Sequence, residues 1–278
     1  MAPDALPKRR FRLLALDIDG TLVDRSLEIT PRNLEALRWA VAEGIKVILA
    51  TGRMAHSAMR YAQAIGTDEP MICYQGAVVA APTGEFLHEW GLSPAAANRA
   101  VELARELDLH LNLYRDDRFY VERLDWGARR YAEIAQIEPV RVDDLVEIAA
   151  GGSTKAVFVA EPERLRELEG LIGKRMAPDA RVTFSLPEFL ESVSVDVSKA
   201  RALEMICRER GIDASEVIAA GDAPNDVELF QYAGLAVAPT NAHEVALRAA
   251  GETMPPPGED GIASLVERYL DRPATMTR

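Results

Sequence analysis

Cysteine is almost missing from this 278-residue chain: Cys73 and Cys207 are the only two. Two cysteines cannot build a disulfide framework, and without a CxxC spacing they give no sign of a zinc site. Both sit in apolar segments and read as small buried side chains. Histidine is scarce as well. His56, His88, His110 and His243 stand far apart with no metal-ligand spacing, so they read as structural or surface residues. Positive charge is in deficit, with 32 Lys and Arg against 44 Asp and Glu and a formal net charge of −12. That balance argues against wrapping a polyanion, because nucleic-acid binding rests on basic residues that displace counterions. It leaves room for a small anionic substrate, which needs only a few local groups. No stretch approaches the ~18–20 apolar residues of a membrane helix. The apolar run after the basic Lys8-Arg9-Arg10 breaks at Asp17, too soon for a signal-peptide core. The expectation is a cytoplasmic protein with no nucleic-acid or membrane partner; monomer and homodimer both stay open.

What is present is globular. Hydrophobic residues at 48% and charged residues at 27% exclude a disordered or fibrous chain, and the length predicts one or two domains. The first third alternates short buried strands with helices. Strands are predicted over 11–17, 45–50 and 71–74. Thr30-Pro31 opens a helix that stops at Gly44, and a second helix over 55–65 closes at Gly66. This βαβαβ order predicts an α/β fold, a Rossmann-like doubly wound parallel sheet. The last third repeats it, with helices over 199–210, 226–232, 244–250 and 262–270 and strands over 217–221 and 235–238. The middle differs. Strands over 86–92, 109–114, 119–124, 154–160 and 181–185 accompany helices over 94–107 and 162–176, with Asp116-Asp117 as a hairpin turn. Leu109, Leu111 and Leu113 alternate with His110, Asn112 and Tyr114, the pattern of a sheet with one wet face. Residues 84–189 therefore read as an α+β module inserted into a core made of 1–83 and 190–278.

The sharpest local signal is Asp17-Ile18-Asp19-Gly20-Thr21, directly after the first strand. In open α/β sheets, ligands bind beyond the carboxyl ends of the strands. Two carboxylates there repel each other unless a cation or a shared proton intervenes, and hard oxygen ligands favour Mg²⁺. A surface turn rich in Asp and Gly would look similar. Thr51-Gly52-Arg53 follows the second strand and offers a hydroxyl and backbone N–H groups where a helix begins, an anion site or a plain turn. Asp222, Asn225 and Asp226 crowd another strand exit, fitting a metal site or an Asx-rich helix start. Lys199 opens a helix, a position where a lone lysine is ordinarily solvated.

In order and placement these four elements resemble the motifs of the haloacid dehalogenase superfamily, specifically its Cof-like branch of phosphatases with a type II cap. The gap from Thr51 to Lys199 is where that branch carries its cap, and Asn241-Ala242 and Glu259-Asp260-Gly261 resemble its C-terminal signature. The chain departs from the branch in having Gln75-Gly76 for Asn-Gly, Ala200 for Gly after the lysine, and Pro239-Thr240 for Met-Gly. The resemblance implies a Mg²⁺-dependent phosphomonoester hydrolase acting on a sugar phosphate or similar small metabolite through a phosphoaspartate. In it, Asp17 is the nucleophile and Asp19 the general acid and base. Mg²⁺ is bound by Asp17, Asp222 and the backbone carbonyl of Asp19. Thr51, Gly52, Lys199 and Asn225 hold the phosphoryl group, and Asp226 orients Lys199 or a metal-bound water from behind. In the cap, Tyr114, Arg115, Phe119, Tyr120, Arg129 and Arg130 either meet the organic part of the substrate or simply pack. Two alternatives remain: a phosphotransferase or mutase using the same phosphoaspartate, and a non-enzymatic phosphoryl-sensing module. The second leaves the inserted cap without a purpose.

Overall fold

The computed structural model describes residues 11–135 and 137–270. Its centre is a five-stranded, wholly parallel sheet in the order Glu252–Met254, Leu235–Pro239, Val217–Ala220, Leu13–Leu16, Lys46–Leu49. The strands are apolar runs because both faces are covered. Leu14 and Leu16 pack on the helices Pro31–Ala42, Ala55–Ile65 and Gly261–Tyr269 through Leu37, Ala58 and Ile262. Leu13 and Ala15 point the other way, onto Leu203, Ile206 and Leu229 of the helices Lys199–Arg210 and Val227–Tyr232. The doubly wound core is as expected from the sequence.

The third predicted strand behaves differently. Met71–Cys73 joins the parallel sheet through the Ala50–Ile72 bridge and the Thr51 N–H to Ile72 carbonyl bond of 2.8 Å. It then pairs antiparallel with Val78–Ala80, which pairs with Phe86–Glu89. The cause is the turn at Gln75-Gly76, where φ of 60° and 98° sends the chain straight back. A six-stranded sheet fills the middle of the chain, in the order Ala180–Leu186, Phe189–Ser194, Ala156–Val159, His110–Arg115, Arg118–Val121, Val140–Arg141. One strand runs across the boundary at 189, and another, just inside 84, pairs with the core side. Phe86–Glu89 pairs with Val78–Ala80, and Phe189–Ser194 joins the six-stranded sheet.

The helices Pro94–Glu106, Leu145–Ala149 and Pro162–Met176 cover the face of that sheet carrying Leu111 and Leu113. The opposite face is not wet. Asn112 and Tyr114 are fully buried and His110 nearly so, because the helix Trp126–Ala135 lays Tyr131 against Tyr114 and Phe119 at 5.6 and 5.1 Å between ring centroids. Polar alternation here marks a second buried layer. Asp116 and Asp117, both in the left-handed region at φ 51° and 53°, form the two-residue hairpin turn between His110–Arg115 and Arg118–Val121. Among the described residues, no helix is long and apolar enough to cross a membrane.

Candidate active site

Every strand that carries a predicted site residue ends at the same edge of the parallel sheet. Asp17 lies one residue past Leu13–Leu16, and its N–H still bonds to the Ala220 carbonyl at 2.9 Å, which fixes the side chain at its root. Lys199 is the first residue of its helix, whose N-cap Ser198 accepts a hydrogen bond from the Arg201 N–H. The ammonium of Lys199 donates to Asp17 Oδ1 at 2.6 Å and to Asp226 Oδ1 at 2.7 Å, and all three groups are buried. The second oxygen of Asp226 accepts from the N–H groups of Asp222 and Ala223 at 3.0 and 3.1 Å, so one carboxylate holds both the lysine and the loop. Thr21 Oγ1 donates to Asp222 Oδ1 at 3.3 Å. Asp17, Asp222 and Asp226 each bring an oxygen to within 4.8 Å of the others.

The model of the haloacid dehalogenase-like hydrolases matches residues 14–266. The chain belongs to that family. Relatives of this hydrolase include the phosphoglycolate phosphatase of Archaeoglobus fulgidus, 28% identical over 256 residues that cover 92% of this chain and 96% of the relative. The HMP-PP phosphatase of Cronobacter sakazakii is 28% identical over 239 residues, 83% of this chain and 85% of the relative. A haloacid dehalogenase-like hydrolase of Bacteroides thetaiotaomicron, known from its crystal structure, superposes with a TM-score of 0.85 at 28% identity, covering 93% of this chain and 99% of that one. Family and relatives together make this hydrolase a phosphatase.

The electrostatics of the site follow from its burial. Loss of water is the largest influence on Asp17 and pushes its carboxyl well above the ordinary carboxylate range, with Lys199 opposing and Asp226, Asp222 and Asp19 adding to the rise. Burial, then Asp226, lifts Asp222 to about 6. Burial disfavours the charge on Lys199 too, but Asp17 and Asp226 more than offset it and keep the ammonium protonated. Three carboxylates share one ammonium, so the cluster lacks positive charge. Its all-oxygen donors are those a hard divalent cation takes, and haloacid dehalogenase phosphatases generally use a divalent metal.

The remaining predicted residues surround this cluster at one remove. The half-exposed carboxylate of Asp19 lies outside the group of three, and the Arg53 guanidinium grips it bidentately at 2.6 and 2.7 Å. Arg53 also stacks over the Tyr61 ring at 5.3 Å. Thr51 is buried, and its hydroxyl accepts from the Arg53 N–H at 3.2 Å. Asn225 donates to Gln75 Oε1 at 2.8 Å while its own Oδ1 is buried without a partner. Gln75 also lies against Gly52, where a Cβ would come within 2.5 Å of its amide nitrogen. Two partners of the site thus had no role in the sequence reading. Arg53 closes the Thr51-Gly52-Arg53 tripeptide, and Gln75 stands where the Cof-like branch has asparagine. Of the cap candidates, Tyr114 and Phe119 pack in the aromatic cluster, Arg115 pairs with Asp116 and Arg130 with Glu188.

Gly20 has no substitute in this arrangement. Its φ of 82° is a left-handed conformation, and a Cβ there would stand 2.2 Å from Asp222 Oδ2. Gly20→Ala displaces that carboxylate, so phosphatase activity is expected to fall at least about tenfold. The unfolding free energy should drop by roughly 1–2 kcal/mol from the backbone strain alone. Steady-state rates and denaturant melts of the variant check both figures.

Proposed function

We propose that this phosphatase hydrolyses a small phosphate monoester, of the sugar-phosphate kind, by passing the phosphoryl group through Asp17. The observation that carries the reading is the buried Lys199 ammonium held between Asp17 and Asp226 beside Asp222. A carboxylate so fixed presents its oxygen to an incoming phosphorus without reorganisation. The Asp17 oxygen forms a bond to phosphorus as the ester P–O bond breaks, and the departing alkoxide takes a proton from Asp19. Asp19, now a carboxylate, draws a proton from the water that displaces Asp17 from phosphorus and releases phosphate. In the resting arrangement Arg53 occupies both Asp19 oxygens. Asp19 must therefore leave the guanidinium to act, and a phosphate dianion near Arg53 would compete for that cation. Thr51, Gly52 and Asn225 would hold the equatorial oxygens with Lys199, where negative charge spreads in the transition state. The Asn225 NH2, which rests on Gln75, would be the group that donates to a phosphoryl oxygen, while its unpartnered Oδ1 would accept from a donor such as a substrate hydroxyl or a water. Mg²⁺, held by Asp17, Asp222 and the Asp19 backbone carbonyl, would lower the repulsion between an anionic nucleophile and a dianionic phosphate. The inserted module would select the leaving group, in keeping with relatives named for substrates as different as phosphoglycolate and HMP-PP.

Phosphate release from a panel of sugar and nucleotide monophosphates, with Mg²⁺ and with EDTA, tests the reading. Turnover that needs Mg²⁺ supports it. A phosphorylated acceptor formed without free phosphate would make the protein a phosphotransferase instead.

The pH dependence is fixed by the raised carboxylates. Asp222, at about 6, and Asp17 must be deprotonated before Mg²⁺ is held. The apparent Mg²⁺ affinity therefore falls below that point, by about tenfold per pH unit for each proton that must leave. In the metal-free protein the sign is reversed. Between the ordinary value of 3.8 and about 6 the native state holds the Asp222 proton more tightly than the unfolded chain does. Stability is therefore lost as pH rises through that window. Calorimetric Mg²⁺ titrations across the window, paired with EDTA melts, should show the two opposite slopes.

A further inference from the structure

The helix Ala55–Ile65 begins directly after the Thr51–Arg53 loop, and its N-cap residue is Met54, which has no side-chain oxygen to offer the first amides. A helix end of this kind leaves N–H groups without partners. Here a distant part of the chain supplies the partner. Asp117, at the tip of the hairpin of the six-stranded sheet, accepts from the Ala55 N–H at 3.1 Å through Oδ1 and from the His56 N–H at 2.8 Å through Oδ2. The Tyr74 hydroxyl donates to the same Oδ1 at 2.8 Å. Tyr74 is the neighbour of Gln75, which holds Asn225. One carboxylate therefore joins the start of the helix to the segment behind the phosphoryl site. A negative group at a helix N-terminus is favoured by the dipole as well as by the hydrogen bonds. A second contact runs in parallel. Lys155, buried and paired with Glu191 at 2.9 Å, reaches the Gly52 carbonyl at 3.4 Å.

We infer that Asp117 is a positioning residue for the phosphate-binding loop: the hairpin provides the cap that the Ala55–Ile65 helix lacks, and its seating tightens the end of Thr51–Arg53 that runs into the helix. The inference rests on the reading of Thr51 and Gly52 as phosphoryl ligands. The loop is anchored by the Thr51 N–H on Ile72, by the Thr51 and Arg53 carbonyls, which accept from the Gln75 and Tyr74 N–H groups at 3.0 and 2.9 Å, and at its second end by the first turn of the helix. Asp117 fixes that second end. Lifting the hairpin strips two helix amides and the Tyr74 hydroxyl of their acceptor at once, so loop order and hairpin seating are coupled.

The test combines hydrogen exchange and kinetics on the full chain, comparing wild type, Asp117→Ala and Asp117→Asn with p-nitrophenyl phosphate as substrate. Asn keeps one acceptor oxygen but sets an NH2 group where the second oxygen meets a donor, so it should rescue only in part. In Asp117→Ala the Ala55 and His56 amides are expected to exchange at least about fivefold faster. Its kcat/KM should fall about tenfold, mostly through KM, because the loop binds the phosphate before and during reaction. Asp117→Asn should fall between Asp117→Ala and wild type in both readouts, with only one of the two amides still protected. Unchanged exchange at Ala55 and His56 in Asp117→Ala, or a kcat/KM for Asp117→Ala within about twofold of wild type, each overturns the inference. Exchange needs no turnover, so the two readings fail separately. A wild type that releases no phosphate refutes the phosphatase mechanism and with it the kinetic half of the inference. An active wild type with an indifferent Asp117→Ala refutes the inference alone.

Discussion

Asp17→Asn is expected to abolish phosphate release, lowering kcat by at least about 10⁴-fold, while the protein stays folded. The amide keeps the volume of the carboxylate and can still accept from Lys199, so the buried packing is preserved; what disappears is the proposed nucleophile. The variant should also be no less stable than wild type when metal is absent. Burial, opposed by Lys199, pushes the Asp17 carboxyl up, which means that its charge weakens the native state at neutral pH. EDTA melts near pH 8 should therefore place Asp17→Asn at or above wild type, and Mg²⁺ should raise its melting temperature less. Activity close to that of wild type would remove Asp17 from the mechanism.

Lys199→Met should damage both activity and fold. Its ammonium is the counter-charge that the structure places between Asp17 and Asp226, at 2.6 and 2.7 Å. Removing one partner of a buried pair costs roughly 3–5 kcal/mol because the other charge is stranded, and loss of the transition-state contact should lower kcat by about 10³-fold. The sign with pH follows from Asp17. Lys199 lowers the Asp17 pKa, so without it the native carboxyl holds its proton more tightly still. The variant's stability is then greatest in acid and is lost as pH rises, leaving it nearest wild type at about pH 5 and furthest from it at about pH 8. Adding Asp17→Asn to Lys199→Met should restore a large part of the loss, since one stranded charge is gone. Denaturant unfolding of the single and double variants at both pH values measures this directly. A Lys199→Met protein as stable as wild type at the higher pH would mean that the lysine is not the counter-charge.

Where the sequence announces structure, it does so through local chemistry. The bounds of the helices Ala55–Ile65 and Lys199–Arg210 are marked by Gly66 and Gly211, both of which adopt the left-handed C-cap conformation at φ 80° and 61°. The strands of the core are apolar runs next to such signals, and the site residues follow because loops at strand ends must carry them. What could not be read is set by distance along the chain. Nothing near Asp19 announces Arg53 as its partner 34 residues on, and nothing near Gln75 points to Asn225, 150 residues away. The apolar strand Met71–Cys73 fits a parallel or an antiparallel neighbour equally well; the turn after it decides. Alternation in His110–Arg115 has the same limit, because a polar face looks alike in sequence whether water or a buried aromatic layer covers it.

The central claim is that the phosphoryl group rests on Asp17 during turnover. Acid-quenched protein, digested and mapped by mass spectrometry, tests it most directly in the Asp19→Asn variant with p-nitrophenyl phosphate, whose phenolate leaves without the acid, so that only the activation of water is lost and the intermediate should accumulate. The account predicts one added phosphoryl group on the peptide that contains Asp17, formed from substrate and absent from Asp17→Asn. Turnover by wild type with no phosphoryl group on that peptide in Asp19→Asn, or with the group on another residue, would contradict it.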